Sequence, residues 1–109
     1  MKRYGWVIGV KEEKLDEYKK LHAAVWPEVL SMIKDSNLQN YSIYLRQLPD
    51  GKYYLFSYFE YTGDDFEADM AKLDKHPRNI EWLKICDPMQ NPLEGYDGWA
   101  EMEQVYFND

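Results

Sequence analysis

Along positions 4–10 of this chain, Tyr4, Trp6, Ile8 and Val10 fall on one side and both nearby glycines, Gly5 and Gly9, on the other, which is the two-residue period of a β-strand. From residue 11 to residue 34 the period changes. Leu15, Tyr18, Leu21/His22, Val25, Val29/Leu30 and Ile33 recur at three and four, against a charged face of Glu12, Glu13, Glu17, Lys19 and Lys20. That spacing predicts one long amphipathic helix. Pro27 interrupts it, because a mid-helix proline removes a hydrogen bond and clashes with the carbonyl four residues back, yet suits the first position of a new helix. A kink or a restart at Trp26-Pro27 follows, and Asp35-Ser36-Asn37 ends the element.

Positions 40–47 alternate again, with Tyr41, Ile43 and Leu45 opposed to Ser42, Tyr44 and Arg46, and Pro49-Asp50-Gly51 is a turn. Residues 52–61 pair back as a hairpin, apolar or aromatic on both faces. Gly63-Asp64-Asp65 opens a second helix, whose apolar face is Phe66, Met70 and Leu73 and whose first turn is acidic, as the helix dipole favours. Pro77 starts another short helix with Ile80, Leu83 and Cys86 on one face and Trp82 off that stripe, stopped by Asp87-Pro88. Residues 89–98 lack a period and read as a loop crossing the sheet; residues 99–107 alternate and read as the last strand. The order βαββαβ predicts one α+β domain over residues 1–109, a ferredoxin-like sandwich with helices on one sheet face. The other face carries too many aromatics for water, so it meets a second copy, encloses a ligand, or does both.

Composition narrows the function. Aromatics make up 17% of the 109 residues, with 10 Tyr and 4 Trp, more amphipathic ring surface than a small core needs. A net charge of −7 argues against nucleic acid and against anionic membrane, both of which want clustered Lys and Arg. One cysteine, Cys86, leaves no internal disulfide, and there is no apolar stretch near the length of a membrane span, so a cytoplasmic location is expected. No glycine-rich phosphate loop, serine-hydrolase elbow or metal-ligand spacing is visible, so neither a metal nor an organic cofactor is expected. The chemistry left is side-chain acid/base work.

His22 is the leading candidate, one of two histidines, with Tyr18 four residues before it and Trp26 four after it. Tyr18 and His22 share a helix face, and helix-end carbonyls favour a charged imidazole. A half-buried histidine filling space among aromatics is the plainer reading of that pattern alone. Glu28 reads as a solvated first-turn acid, Glu101 and Glu103 as edge or inward carboxylates, His76 as a loop or helix-start residue, Cys86 as a small buried hydrophobe, and Trp82 as either a ligand-stacking ring or an interface ring.

The residues Tyr18-x-x-x-His22-x-x-x-Trp26-Pro27-Glu28, then Asn40-Tyr41-x-Ile43-Tyr44, Trp82 with Asp87-Pro88-Met89-Gln90, and Met102-Glu103-Gln104-Val105-Tyr106 resemble the L-rhamnose mutarotase family over nearly the whole chain. The resemblance implies a dimeric ferredoxin-like protein, a dimeric α+β barrel, that interconverts the α and β anomers of a six-carbon deoxysugar such as L-rhamnose without a cofactor. It implies that His22 donates the proton and that Tyr18 and Tyr41 contact the sugar. Trp82 matches one of two adjacent tryptophans in many members, with Leu83, or Glu81 in the other placement, where the second would stand. Trp26 and Asn40 are further candidates for sugar contact. A cofactor-free monooxygenase or haem-handling protein on the same fold, and a sugar-binding module without catalysis, remain as alternatives.

Overall fold

A computed structural model describes Met1–Asp109. Strand β1 (Lys2–Val10) is followed by a short 3-10 turn and helix α1 (Leu15–Ala23), then α2 (Pro27–Asp35), β2 (Leu38–Gln47), β3 (Tyr53–Tyr61), α3 (Phe66–Lys75), α4 (Pro77–Cys86), β4 (Gln90–Asn91) and β5 (Ala100–Met102). The sheet is antiparallel, in the order β2-β3-β1-β4, with β5 also on β1. This is the expected ferredoxin-like order. The fourth strand is divided, β4 pairing with Gly9 and Val10 and β5 with Gly5 to Val7, end to end along the same edge. Gly9 is required there, since a Cβ would collide with the Asn91 carbonyl.

Of the kink or restart expected at Trp26-Pro27 the structure shows the restart, so the bent helix expected over residues 11–34 is two helices. Ala24 (φ −142°, ψ 60°) and Trp26 (φ −57°, ψ 135°) are both non-helical, and Pro27 is the first residue of α2. A proline drives the residue before it out of the helical region, so the chain restarts rather than bends. One correction concerns α4, whose buried positions are Asn79, Trp82 and Cys86, with Ile80 exposed. Trp82 is thus on the buried stripe, because the large ring offers more apolar area than Ile80 and wins the core-facing position. The loop expected over residues 89–98 includes β4. The last strand is only three residues long, and residues 103–109 form no ladder. Their alternation meets the local demand for a strand but supplies no partner edge, and Val105 and Tyr106 stay 86% and 76% exposed.

Tyr53, Leu55, Ser57, Phe59 and Tyr61 of β3 face the helices, together with Val10, Ile8, Trp6 and Tyr4 of β1 opposite the first four. Phe59, 1% exposed, is the centre of a ring stack: Tyr4 and Tyr41 lie against it at 5.2 Å each and Trp6 edge-on at 4.9 Å. Stacked and edge-on pairs of this kind add to plain area burial. Around the helices a second group, Val29, Met32, Trp82 and Cys86, joins α2 to α4. At the helix ends, the Asp65 carboxylate caps α3 by accepting from the Ala68 N–H, and the His76 ring caps α4 by accepting from the Arg78 N–H, the helix-start role expected of it.

Phe59→Ala is expected to remove about 3–5 kcal/mol of stability, read as a lower urea midpoint; an unchanged midpoint would show that the stack does not organise the core.

Candidate active site

Helix α1 delivers Tyr18 and His22 to one face, as their spacing requires, and the rings stack at 4.1 Å with planes 18° apart. The His22 Nδ1–H donates to the Tyr18 carbonyl at 2.9 Å. That bond fixes the neutral tautomer with Nδ1 protonated and leaves Nε2 as the nitrogen able to exchange a proton. Trp82 meets the His22 ring edge-on at 5.4 Å from α4. Trp26 lies behind it, 5.1 Å from Trp82, with the Arg78 guanidinium over its outer face at 4.1 Å.

His22 borders two adjoining hollows on the helix side of the sheet. One, about 370 Å³, is walled by Val25, Val29, Ile33, Tyr41, Ile43 and Trp82; the other, about 320 Å³, by Leu15, Tyr18, Lys19, Ile43 and Leu55. Each is of a size and apolar character suited to a small organic ligand. The largest hollow, about 450 Å³, lies outside α2 among Glu28, Asp35, Lys72 and His76, and does not reach His22. Most of its lining residues are polar and none is a Phe, Tyr or Trp, so the pair at His22 is the better candidate.

Of the residues expected from sequence, His22, Tyr18, Tyr41 and Trp82 are brought together. Trp26, Leu83 and Asn40 border neither hollow. Trp26 and Leu83 pack around the Val29, Met32, Trp82 and Cys86 cluster, and the Asn40 amide donates to Glu60 at 2.8 Å. Glu60 lies between inward-facing Phe59 and Tyr61, which puts it on the far face of the sheet. The sequence reading missed Ile43, which borders both hollows, and Lys19, assigned to the charged face. Ser57, paired with Ile43, has a buried hydroxyl without a partner but borders neither hollow.

Burial lowers the His22 pKa, and the Tyr18 carbonyl, which favours the charged ring, only partly offsets this. The charged imidazole expected from the helix end is therefore corrected to a neutral one, desolvation being the larger effect. Burial also holds the Tyr18 phenol well above its ordinary range, with the Gln90 side chain pulling the other way. Tyr41 keeps 39% of its surface open, yet its hydroxyl end is enclosed and its pKa is pushed up to about 12. Both phenols thus keep their protons and remain available as hydrogen-bond donors. Cys86 is buried and its thiol is pushed up to about 12, which makes it inert.

The fold and this cavity define a class: a small ferredoxin-like α+β protein with a neutral histidine in a ring-lined pocket. A family model described as L-rhamnose mutarotase matches residues 3–107. An L-rhamnose mutarotase of Oceanobacillus iheyensis is 34% identical over 82% of this chain and 80% of its own, and one of Bacillus subtilis is 28% identical over the full length of both. A crystal structure of L-rhamnose mutarotase from Formosa agariphila superposes over both whole chains with a TM-score of 0.75 at 18% identity, a likeness of fold. The chain belongs to the L-rhamnose mutarotase family. The oxygenase and binding-only alternatives drawn from the sequence are not favoured by these relatives.

In ¹H–¹⁵N NMR the His22 ring is expected to titrate below the ordinary value near 6.5. The unfolded chain then takes up the proton first as pH falls. The stability tied to the neutral ring is complete above about 6.5 and declines as pH drops towards the folded midpoint. His22→Asn should flatten that part of the stability–pH curve; an unaltered slope would contradict the burial argument.

Proposed function

We propose that this chain is a cofactor-free mutarotase interconverting the α and β anomers of L-rhamnose or a related deoxyhexose, with His22 as the acid/base group. The observation that carries this reading is the neutral, tautomer-fixed His22 on the rim of an apolar cavity in a chain of the mutarotase family. In the forward direction Nε2 takes the proton of the anomeric hydroxyl as the bond from C1 to the ring oxygen breaks. The imidazolium returns that proton to the freed ring oxygen, giving the open aldehyde. Rotation about C1–C2 and reversal of the same steps close the other anomer. One proton leaves one oxygen and arrives at another, so His22 is proton donor in one half and acceptor in the other.

Tyr18 and Tyr41, kept protonated by burial, serve as donors to sugar hydroxyls, while Trp82 and Ile43 offer apolar surface to the C–H face and the methyl of a deoxysugar. A neutral ligand is compatible with the −7 charge. We assign the site to one domain, residues 1–109, acting in the cytoplasm, a location supported by the single, buried, unpaired Cys86. No helix is long and apolar enough to cross a membrane. The protein is a homodimer in this reading. What supports the dimer is the far face of the sheet, where Tyr44 is 64% exposed beside half-buried Phe56 and Tyr58, more aromatic surface than water tolerates on a monomer.

Saturation-transfer NMR on L-rhamnose and L-fucose is expected to show anomer exchange well above the spontaneous rate. His22→Ala should reduce the enzymatic part by about 10²- to 10⁴-fold, and Tyr18→Phe by less. Sugar binding with no acceleration would leave a binding protein instead. Light scattering should give about twice the 13.1 kDa chain mass; a monomer would refute the dimer.

A further inference from the structure

Strand β2 contains one residue too many for its ladder. Leu38 faces Tyr61 and Gln39 faces Glu60, but Ser42 faces Tyr58, so Asn40 and Tyr41 together oppose Phe59. The consequence reaches the site. In an uninterrupted ladder Tyr41 would face Tyr58 and Ile43 would face Phe56, on the side of the sheet away from His22, because side-chain direction has a period of two. The inserted residue shifts the parity. Tyr41 then stacks on Phe59 at 5.2 Å, and Ile43 comes opposite Ser57, both on the cavity side.

Such a bulge needs a backbone conformation that side chains resist. Asn40 carries it, with φ +50°, in the left-handed region where glycine is usual. Its amide donates to Glu60 Oε1 at 2.8 Å, the Gln39 amide donates to the same oxygen at 2.9 Å, and the Tyr58 hydroxyl donates to Oε2 at 2.7 Å. Three donors on one carboxylate, one each from before, within and across from the insertion, tie the bulge to a single position. These donors, with Arg3 on the adjacent strand, hold the Glu60 carboxyl down at about 2.

The geometry points to Glu60 as a positioning residue for the reaction: from the far face of the sheet it pins the bulge at Asn40 and thereby turns Tyr41 and Ile43 into the His22 cavity. Its catalytic consequence rests on the mutarotase reading, while its structural consequence does not. Asn40, which the sequence pattern offered as a sugar contact, serves the site instead as the left-handed hinge of this device.

The test is Glu60→Leu, with and without Asn40→Gly. In Glu60→Leu the Asn40 HN–Hα coupling and the ring-current shifts of Tyr41 are expected to move towards averaged values. Sugar anomer exchange should fall roughly ten- to hundredfold, the scale set by ångström-level misplacement of site groups. Glycine takes a positive φ without an anchor, so Asn40→Gly/Glu60→Leu should recover most of the lost rate and the Tyr41 shifts. A merely stabilising role for Glu60 predicts the opposite, since glycine in a strand weakens the fold further. Native Tyr41 shifts and native exchange in Glu60→Leu would overturn the inference, as would a folded double variant no faster than the single one. Should Glu60→Leu not fold, Glu60→Gln keeps one carbonyl acceptor and is expected to give intermediate shifts and rates; fully native values in it would also overturn the inference. If the wild-type chain exchanges no anomers, the mutarotase reading fails, and the Asn40 coupling and Tyr41 shifts in Glu60→Leu still decide the positioning claim.

Discussion

The site depends on the interruption between α1 and α2. Pro27 has no N–H to continue a helix and forces Trp26 into an extended conformation, so two nine-residue helices stand where the hydrophobic period alone would run one. His22 therefore lies in the last turn of α1, beside residues 24–26, which are not wound into a helix. Val25 in that break, Val29 and Ile33 on the restarted helix, and Ile43 on β2 then enclose space rather than filling it. A continuous helix would carry Trp26 onto the Tyr18 and His22 face; the restart sends it behind Trp82, under the Arg78 guanidinium.

Two opposing effects set the chemistry of His22. The Tyr18 carbonyl at 2.9 Å stabilises an imidazolium, and removal from water destabilises it. Burial is the larger, so the resting ring is neutral. The same burial acts on the phenols of Tyr18 and Tyr41 in the opposite sense of charge, keeping them protonated. A single physical cause, low local polarity, thus leaves all three rings uncharged: the imidazole without its second proton and the two phenols with theirs.

The far face of the sheet is tied to the near one through backbone parity. Tyr58, Gln39 and Asn40 converge on Glu60 there, and the extra residue they secure decides which side chains of β2 see the cavity. This couples the face argued to meet a second copy with the pocket behind it.

Periodicity and turn chemistry were enough to place β1, the β2–β3 hairpin, α3, α4 and the shared face of Tyr18 and His22, because each depends on contacts within a few residues. The same local reasoning put Tyr41, Ile43 and Leu45 on one face, and they are, but it could not say which face, nor detect the bulge that starts at Asn40. It set Trp82 off the apolar stripe of α4, extended the last strand through residues that have no partner edge, and could not foresee that the Asn40 amide bonds Glu60. Sequence by itself determined the order of elements and the presence of an imidazole among rings at a helix break. Only the tertiary structure decided the parity of β2, the burial that discharges His22, and which rings border the hollow, since all three are set by pairing and packing between residues far apart in the chain.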